Sequence, residues 1–339
     1  MKPLVSILIP AYNAEEWIAE TLKSAIAQTW EPKEIIVVDD GSKDRTAAVA
    51  QEFASRGVQV VTQPNQGAAA ARNKAFAVST GAYIQWLDAD DLLAPDKVAS
   101  QMAALAPWDN KRTLASGGWG QFLYRASRAQ FIPTPLWCSL SPTEWLLRKM
   151  SLNLHMQTGT WLVSRELTEA AGPWDTRLLG DDDGEYFCRI LLASDAIRFV
   201  PEAKVFYRMA GTTSLSYIGQ SNKKIDAQFR SMLLHIGYLR SLEDSERVRA
   251  GCVAYLQNWL MHFFPDRPDI VQQAQKLAQE LGGSIRIPEA SWKYAWIHSL
   301  FGPAVAKRAQ VLLPSMRWKL ARRWDKALFR LESPSRELR

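Results

Sequence analysis

A chain of 339 residues with 22% charged residues and a formal net charge of +6 suits one main domain with an elaboration. Its 3 cysteines form no paired motif, which argues against a disulfide framework and for free thiols in a reducing compartment. No uninterrupted apolar run approaches the roughly 20 residues a spanning helix needs, and the opening Met1-to-Pro10 segment is too short and strand-like for a signal peptide.

In chain order, Val5-Ser6-Ile7-Leu8-Ile9-Pro10 predicts a strand closed by proline. Asn13 and Glu16 stand at a capping-box spacing ahead of Trp17, Ile18, Leu22, Ala25 and Ile26, which recur at helical intervals. Glu34-Ile35-Ile36-Val37-Val38 is a continuous apolar strand, the pattern of a sheet buried on both faces. Asp39-Asp40-Gly41-Ser42 ends it, with Gly41 turning the chain and Ser42 placed to cap a helix carrying Val49, Ala50 and Phe53. Val58 to Val61 predicts a third strand, Ala68 to Val78 a helix closed by Gly81 as C-cap, and Tyr83 to Leu87 a fourth strand. This alternation predicts a doubly wound α/β domain. Ligands bind such sheets beyond the carboxyl ends of the strands, where Tyr12, Asp39, Asp40 and Asp88 to Asp91 fall.

The fourth strand runs directly into Asp88-Ala89-Asp90-Asp91. Carboxylates are the hard ligands that Mg²⁺ and Mn²⁺ prefer, and such ions bind through one or two of them plus substrate phosphates. Asp88 and Asp90 share a face if the extended geometry continues. Taken alone, the segment reads equally well as an acidic turn capping a helix that starts near Pro95.

Four ordered segments carry a more specific signal. Ser6 to Asn13, Glu34 to Ser42, Asn65-Gln66-Gly67 with Ala71-Arg72-Asn73, and Leu87 to Asp91 resemble the successive signatures of family 2 glycosyltransferases, inverting enzymes of the GT-A fold that use nucleotide-activated sugars. Gly180-Asp181-Asp182-Asp183-Gly184-Glu185-Tyr186-Phe187-Cys188-Arg189 resembles that family's acidic motif. The resemblance implies an α/β protein with a GT-A type doubly wound mixed sheet and a C-terminal helical extension. Residues 1–220 would be the catalytic domain, with 1–110 the nucleotide-sugar-binding half and 111–220 the acceptor-side half; 221–339 would be a helical, basic region.

It further implies a role for each matching position. Pro10 and Tyr12 shape the nucleotide pocket, and Asp40 accepts a hydrogen bond from the base, while Asp39 is structural or touches ribose. Arg72 lies near the nucleotide, Asp88 contacts ribose or metal, and Asp90 is the direct ligand of Mg²⁺ or Mn²⁺. The donor is a nucleoside-diphosphate sugar, with a UDP-sugar favoured. Counting back from Arg189 puts Asp182 where the family has glutamate and Asp183 at the aspartate that serves as base. The three consecutive aspartates leave that register open by one residue, and helix capping is the competing role for each, because Tyr186, Phe187, Ile190 and Leu191 form an apolar helical face just downstream. Arg208, in a segment resembling the family's closing loop, would pair with the diphosphate or be a surface charge.

Two further segments are read from pattern. Gly117-Gly118-Trp119-Gly120 predicts a turn, and Gln157 to Val163 a strand facing the cleft. His155, His235, His262 and His298 show no paired metal spacing.

From Asn222 onward the sequence predicts several helices, with loops near Pro265 to Pro268 and Gly282-Gly283. Residues 301–339 hold ten Lys and Arg against three acidic residues, so this tail carries the chain's whole net charge. Trp318, Leu320, Trp324, Leu328 and Phe329 are interleaved with those charges, which suits peripheral contact with an anionic membrane surface. A helical bundle with a solvated basic face is the plainer reading, and no nucleic-acid motif is present. The expectation is thus a cytoplasmic, metal-dependent hexosyltransferase acting on a saccharide or lipid-linked saccharide in cell-surface polysaccharide biosynthesis. A nucleotidyltransferase and a non-catalytic nucleotide-sugar-binding protein are the alternatives; the first would normally open with a glycine-rich loop, the second would not need a base.

Overall fold

The computed structural model describes residues 2–107, 111–209, 221–287, 300, 322–329 and 331. The first half alternates as β1 (Val5–Ala11), α1 (Ile18–Ile26), β2 (Lys33–Asp39), α2 (Thr46–Gln51), β3 (Val58–Thr62), α3 (Ala68–Val78) and β4 (Tyr83–Trp86). Then come β5 (Leu92–Leu93), α4 (Lys97–Leu105), β6 (Thr113–Phe122), β7 (Gln130–Phe131), α5 (Pro142–Ser151), β8 (Val163–Ser164) and α6 (Arg165–Ala171). α7 (Asp182–Ala193), β9 (Ala196–Arg208), α8 (Asn222–Leu242), α9 (Glu246–Phe263) and α10 (Pro268–Glu280) follow.

The strands form a five-stranded sheet in the order β3-β2-β1-β4-β8 and a four-stranded sheet in the order β5-β9-β6-β7. β3, β2, β1 and β4 are parallel, and β8 joins antiparallel. The chain starts at β1 and winds outward to both sides, so the crevice between β1 and β4 is the natural ligand position. The apolar run of β2 explains its central place: Ile35, Ile36, Val37 and Val38 are all buried. Burying each such side chain stabilises the fold by about 1.5–3 kcal/mol.

Several local expectations are corrected. Asn13 does not cap α1; it has φ 49° and its side chain accepts from the Lys43 amide, while Ser42 accepts from the Asn13 amide instead of capping α2. The two loops that open the first crevice are therefore tied to each other. Gly81 is no C-cap, since α3 ends at Ser79; a Cβ at Gly81 would lie 2.3 Å from the Ser6 hydroxyl, so glycine permits the close approach to β1. Gly117 to Gly120 is no turn but the middle of β6, where the register against β9 shifts between Gly117 and Gly118. A Cβ at Gly117 would meet the Ala203 carbonyl oxygen at 2.0 Å, which explains the small residue in the bulge. Gln157 to Val163 is only partly a strand: Thr158–Thr160 make a 3₁₀ turn before β8.

α8, α9 and α10 share one apolar core with the elements that precede them. Trp86, Trp161, Tyr186 and Phe187 belong to the same cluster as Phe229, Met232, Leu256 and Ile270. Among the described residues no helix is long and apolar enough to cross a membrane.

Candidate active site

The strand ends deliver the expected groups to the carboxyl edge of the five-stranded sheet. Tyr12, just past β1, is 46% exposed, whereas Pro10 is buried within the strand. Asp39 ends β2 and Asp40 follows it. Asp40 uses both carboxylate oxygens on the loop after β3: Oδ1 accepts from Gln63 Nε2 at 2.7 Å and the Gln66 amide at 2.9 Å, and Oδ2 from the Gly67 amide at 2.8 Å. Asp39 differs. Its Oδ2 accepts from the Ser42 amide, while its buried Oδ1 has no partner among the described residues. An unpaired buried carboxylate oxygen is costly unless a ligand completes it.

At the end of β4 the acidic segment turns rather than staying extended, with the Asp91 amide donating to the Asp88 carbonyl at 3.1 Å. Asp91 is thereby turned inward and fully buried. It accepts from the Arg208 amide at 2.8 Å and from Gln157 Nε2, which pins the turn to β9 and to the turn before β8. Burial pushes the Asp91 carboxyl well up, and the charges of Asp90 and Asp88 push the same way. Burial also lifts Asp90 to about 6, helped by Asp88 and opposed by Arg208.

Arg208 is a brace. Its side chain is 1% exposed, Nε donates to the Asp90 carbonyl at 2.8 Å, and one terminal nitrogen pairs with Glu20 at 2.7 Å. Its guanidinium lies between the rings of Trp17 and Phe122, at 4.1 and 4.5 Å. This geometry commits Arg208 to the Asp90 turn instead of aiming it at a diphosphate. Residues 211–214, the rest of the expected closing segment, lie outside the described residues.

The second acidic cluster opens α7. Asp181 precedes the helix with φ 56°, and its carboxylate accepts from Ser231 Oγ and from Gln228 Nε2 at 3.2 Å, both on α8. Ser231 continues to His235 Nε2 at 3.4 Å, and His235 Nδ1 to the Tyr255 hydroxyl at 3.1 Å. Burial, with Lys149 nearby, lowers His235 to about 3, so the ring is neutral. Asp182 pairs with Arg72 at 2.9 Å. Burial raises its carboxyl to about 6, with Arg72 pulling it down and Asp183 and Asp88 pushing it up. Asp183 accepts from the Gly184 amide at 2.9 Å and lies 3.5 Å from the Thr158 hydroxyl.

Arg72 joins the two clusters. Its guanidinium donates to Asp88 and to Asp182 and lies 4.4 Å from the Trp174 ring centroid. Asn73 fixes that ring's backbone, donating to the Trp174 carbonyl at 2.9 Å and accepting from its amide at 2.8 Å. Trp174 in turn stacks on Tyr186 of α7 at 4.0 Å. Asn73 and Trp174 were not singled out as functional by the sequence; the contiguity of Ala71-Arg72-Asn73 was the available signal.

The site thus holds Asp88, Asp90, Asp91, Asp182 and Asp183 against Arg72 and Arg208. That surplus of carboxylate, with two members pushed to about 6, suits a divalent cation. Among the described residues no three or more His, Cys, Asp or Glu side chains are arranged to enclose a metal ion. Asp88 and Asp90 fit the alternative arrangement, in which phosphates and water complete the ligand set.

Fold and acidic crevice together define a GT-A type glycosyltransferase architecture. Among solved structures, the 1–349 portion of S. aureus TarS in complex with UDP is similar with a TM-score of 0.59, 16% identity and coverage of 91% of each chain. The mannosyltransferase PcManGT from Pyrobaculum calidifontis, in complex with GDP-Man and Mn²⁺, gives 0.52 and 18%, covering 100% of this chain and 89% of that one. The family model for glycosyl transferase family 2 matches residues 6–152. A glycosyltransferase of Rickettsia prowazekii, itself uncharacterized, is 38% identical over 253 residues, 73% of this chain and 74% of its own length. The protein belongs to glycosyltransferase family 2. An uncharacterized relative from Rickettsia bellii is 40% identical over 75% of this chain, which spans only 36% of that protein's length.

Proposed function

We propose that the protein is a metal-dependent inverting hexosyltransferase. It moves a sugar from a nucleoside-diphosphate donor, with UDP-sugars the first candidates, to a hydroxyl of a saccharide or lipid-linked saccharide. The observation that carries this reading is Arg72 binding Asp88 and Asp182 at once, because it puts the donor-side carboxylates and the candidate base in one cleft.

Each part of the site then has a task. Tyr12 lies against the base, and Asp39 Oδ1, without a partner among the described residues, takes a nucleoside donor group, while Asp40 shapes the adjoining loop. Asp88 and Asp90 hold Mg²⁺ or Mn²⁺, which when bound stabilises charge growing on the leaving diphosphate. Asp183 accepts the acceptor hydroxyl's proton as that oxygen attacks the far face of the sugar. The N-terminus of α7 favours negative charge there. Asp182, fixed by Arg72, positions its neighbour.

The acceptor side supports a saccharide. His155 is exposed, and Trp119 meets it and Tyr207 edge-on at 5.6 and 5.8 Å. His155 comes three residues before Thr158, the neighbour of Asp183, so this aromatic wall borders the base; such rings suit the apolar face of a pyranose. A Bacillus subtilis relative, TuaG, carries a name from teichuronic acid biosynthesis and is 40% identical over 30% of this chain. Cell-surface polysaccharide synthesis on the cytoplasmic side, with the basic tail as a peripheral membrane contact and no nucleic-acid partner, completes the reading.

A panel of nucleotide sugars, read by thermal stabilisation and by donor hydrolysis with Mn²⁺, tests it. One donor class should stabilise the fold and be hydrolysed slowly without acceptor. No response to any member would overturn the reading.

A further inference from the structure

Residues 322–329 form a helix that docks beside the catalytic crevice. Asp325 anchors it, pairing with Arg125 at 2.7 Å and accepting from the Tyr124 amide at 3.0 Å. Phe329 adds a ring contact to Tyr124 at 6.0 Å, and Lys326 reaches Glu16 at 3.4 Å. This docking leaves a cavity of about 200 Å³ lined by Tyr124, Arg322, Arg323 and Lys326. Two arginines, a lysine and a phenol ring line it, with no carboxylate among its described lining residues. Of the nearby acids, Asp325 is spent on Arg125 and the Tyr124 backbone and Glu16 pairs with Lys326, which leaves the two guanidinium groups without a carboxylate partner among the described residues. Arg322 Nε donates to the Tyr124 hydroxyl at 3.3 Å, a weak partner for a guanidinium.

The cavity also has a direct route to the reaction centre. Tyr124 follows Leu123, whose carbonyl accepts from Arg208, and Arg208 holds the Asp90 carbonyl. Trp17, next to Glu16, carries the Arg208 guanidinium on its ring and meets Tyr124 at a tilt, ring centroids 5.5 Å apart. On the outer side, Trp324 is 71% exposed.

We propose that this cavity is a phosphate-binding subsite, taking a phosphate or diphosphate group distinct from that of the nucleotide donor. Two guanidinium groups, with an ammonium shared with Glu16, match such a group in charge and donors, and Arg forks bind phosphate oxygens bidentately. The group has two possible bearers of the same chemistry, a soluble phosphorylated compound and a lipid headgroup. The inference stands on the cavity and survives a failed transferase assay, because its readout is binding.

The test uses the full chain in chelator, to silence the metal site, with inorganic pyrophosphate by calorimetry and phosphatidylglycerol vesicles by sedimentation. Arg322→Gln/Arg323→Gln should weaken the probe that binds by at least tenfold and leave the thermal midpoint unchanged. Arg56→Gln/Arg230→Gln removes the same charge at two exposed positions that do not line the cavity and should cost less than threefold. Asp88→Asn should leave this binding intact. Loss confined to pyrophosphate identifies a soluble phosphate, and loss confined to vesicles a headgroup; both support the subsite. Equal effects of the two double variants, or a parent protein that binds neither probe, would overturn it.

Discussion

Arg72 donates to Asp88 with one terminal nitrogen and to Asp182 with the other, each at 2.9 Å. Residues 110 positions apart in the chain are thereby locked into one geometry. Only a planar fork can bridge two carboxylates this way. A lysine is a point donor on a flexible stem. Arg72→Lys should keep the fold and lower transfer about a hundredfold, the scale of an ångström of misplacement. Arg72→Ala strips the partner from two part-buried carboxylates and should cost about 3 kcal/mol in a denaturant melt. Unchanged kinetics in both variants would remove Arg72 from the machinery.

Donor binding should require a divalent cation and both Asp88 and Asp90. Asp90→Ala should abolish transfer to within assay background and weaken donor binding measured by calorimetry, with Mg²⁺ and Mn²⁺ partly interchangeable. Full activity in excess chelator rules out the metal role.

Asp183→Asn separates binding from chemistry, because a base acts on the acceptor and not on the donor. Donor affinity should stay within a few-fold of the parent, while the transfer rate falls by roughly two to four decades. Asp182→Asn should cost less, and the product's anomeric configuration, read by NMR, should be inverted. A dead Asp182→Asn beside an active Asp183→Asn would move the base by one residue.

The chain from Asp181 through Ser231 and His235 to Tyr255 predicts a pH signature. His235 is lowered from 6.5 to about 3 by burial, so the unfolded state binds a proton that the folded state refuses. Its contribution is therefore complete above pH 6.5 and lost as pH falls toward 3. The thermal midpoint of the parent should drop through that window more steeply than that of His235→Gln. Parallel curves would show that this ring is not the titrating group.

Gly117→Ala should destabilise the protein by about 1–3 kcal/mol, the cost of forced repacking. The new methyl would sit 2.0 Å from the Ala203 carbonyl oxygen at the bulge between β6 and β9. A melt unchanged from the parent would mean that the bulge relaxes freely.

The sequence alone determined the alternation of strands and helices in the first hundred residues, because continuous apolar runs such as Ile35 to Val38 and helical spacing such as Ile18, Leu22 and Ala25 are local patterns. It also put Tyr12, Asp39, Asp40 and Asp88 at strand ends, since strand limits follow from the same patterns. Tertiary structure alone decided what those side chains are free to do. Asp40 is occupied by the loop after β3 and Asp39 keeps one oxygen without a partner among the described residues, although the two are adjacent and chemically identical. Arg208 is buried between Trp17 and Phe122, which lie about 190 and 90 positions before it in the chain. Gly117 to Gly120 looks like a turn until β9 and β7 press against it, and Asn13 looks like a cap until Lys43 claims its oxygen. Spacing records which residues can share a face, but hydrogen-bond partners and burial are fixed by contacts between distant segments, which no local pattern encodes.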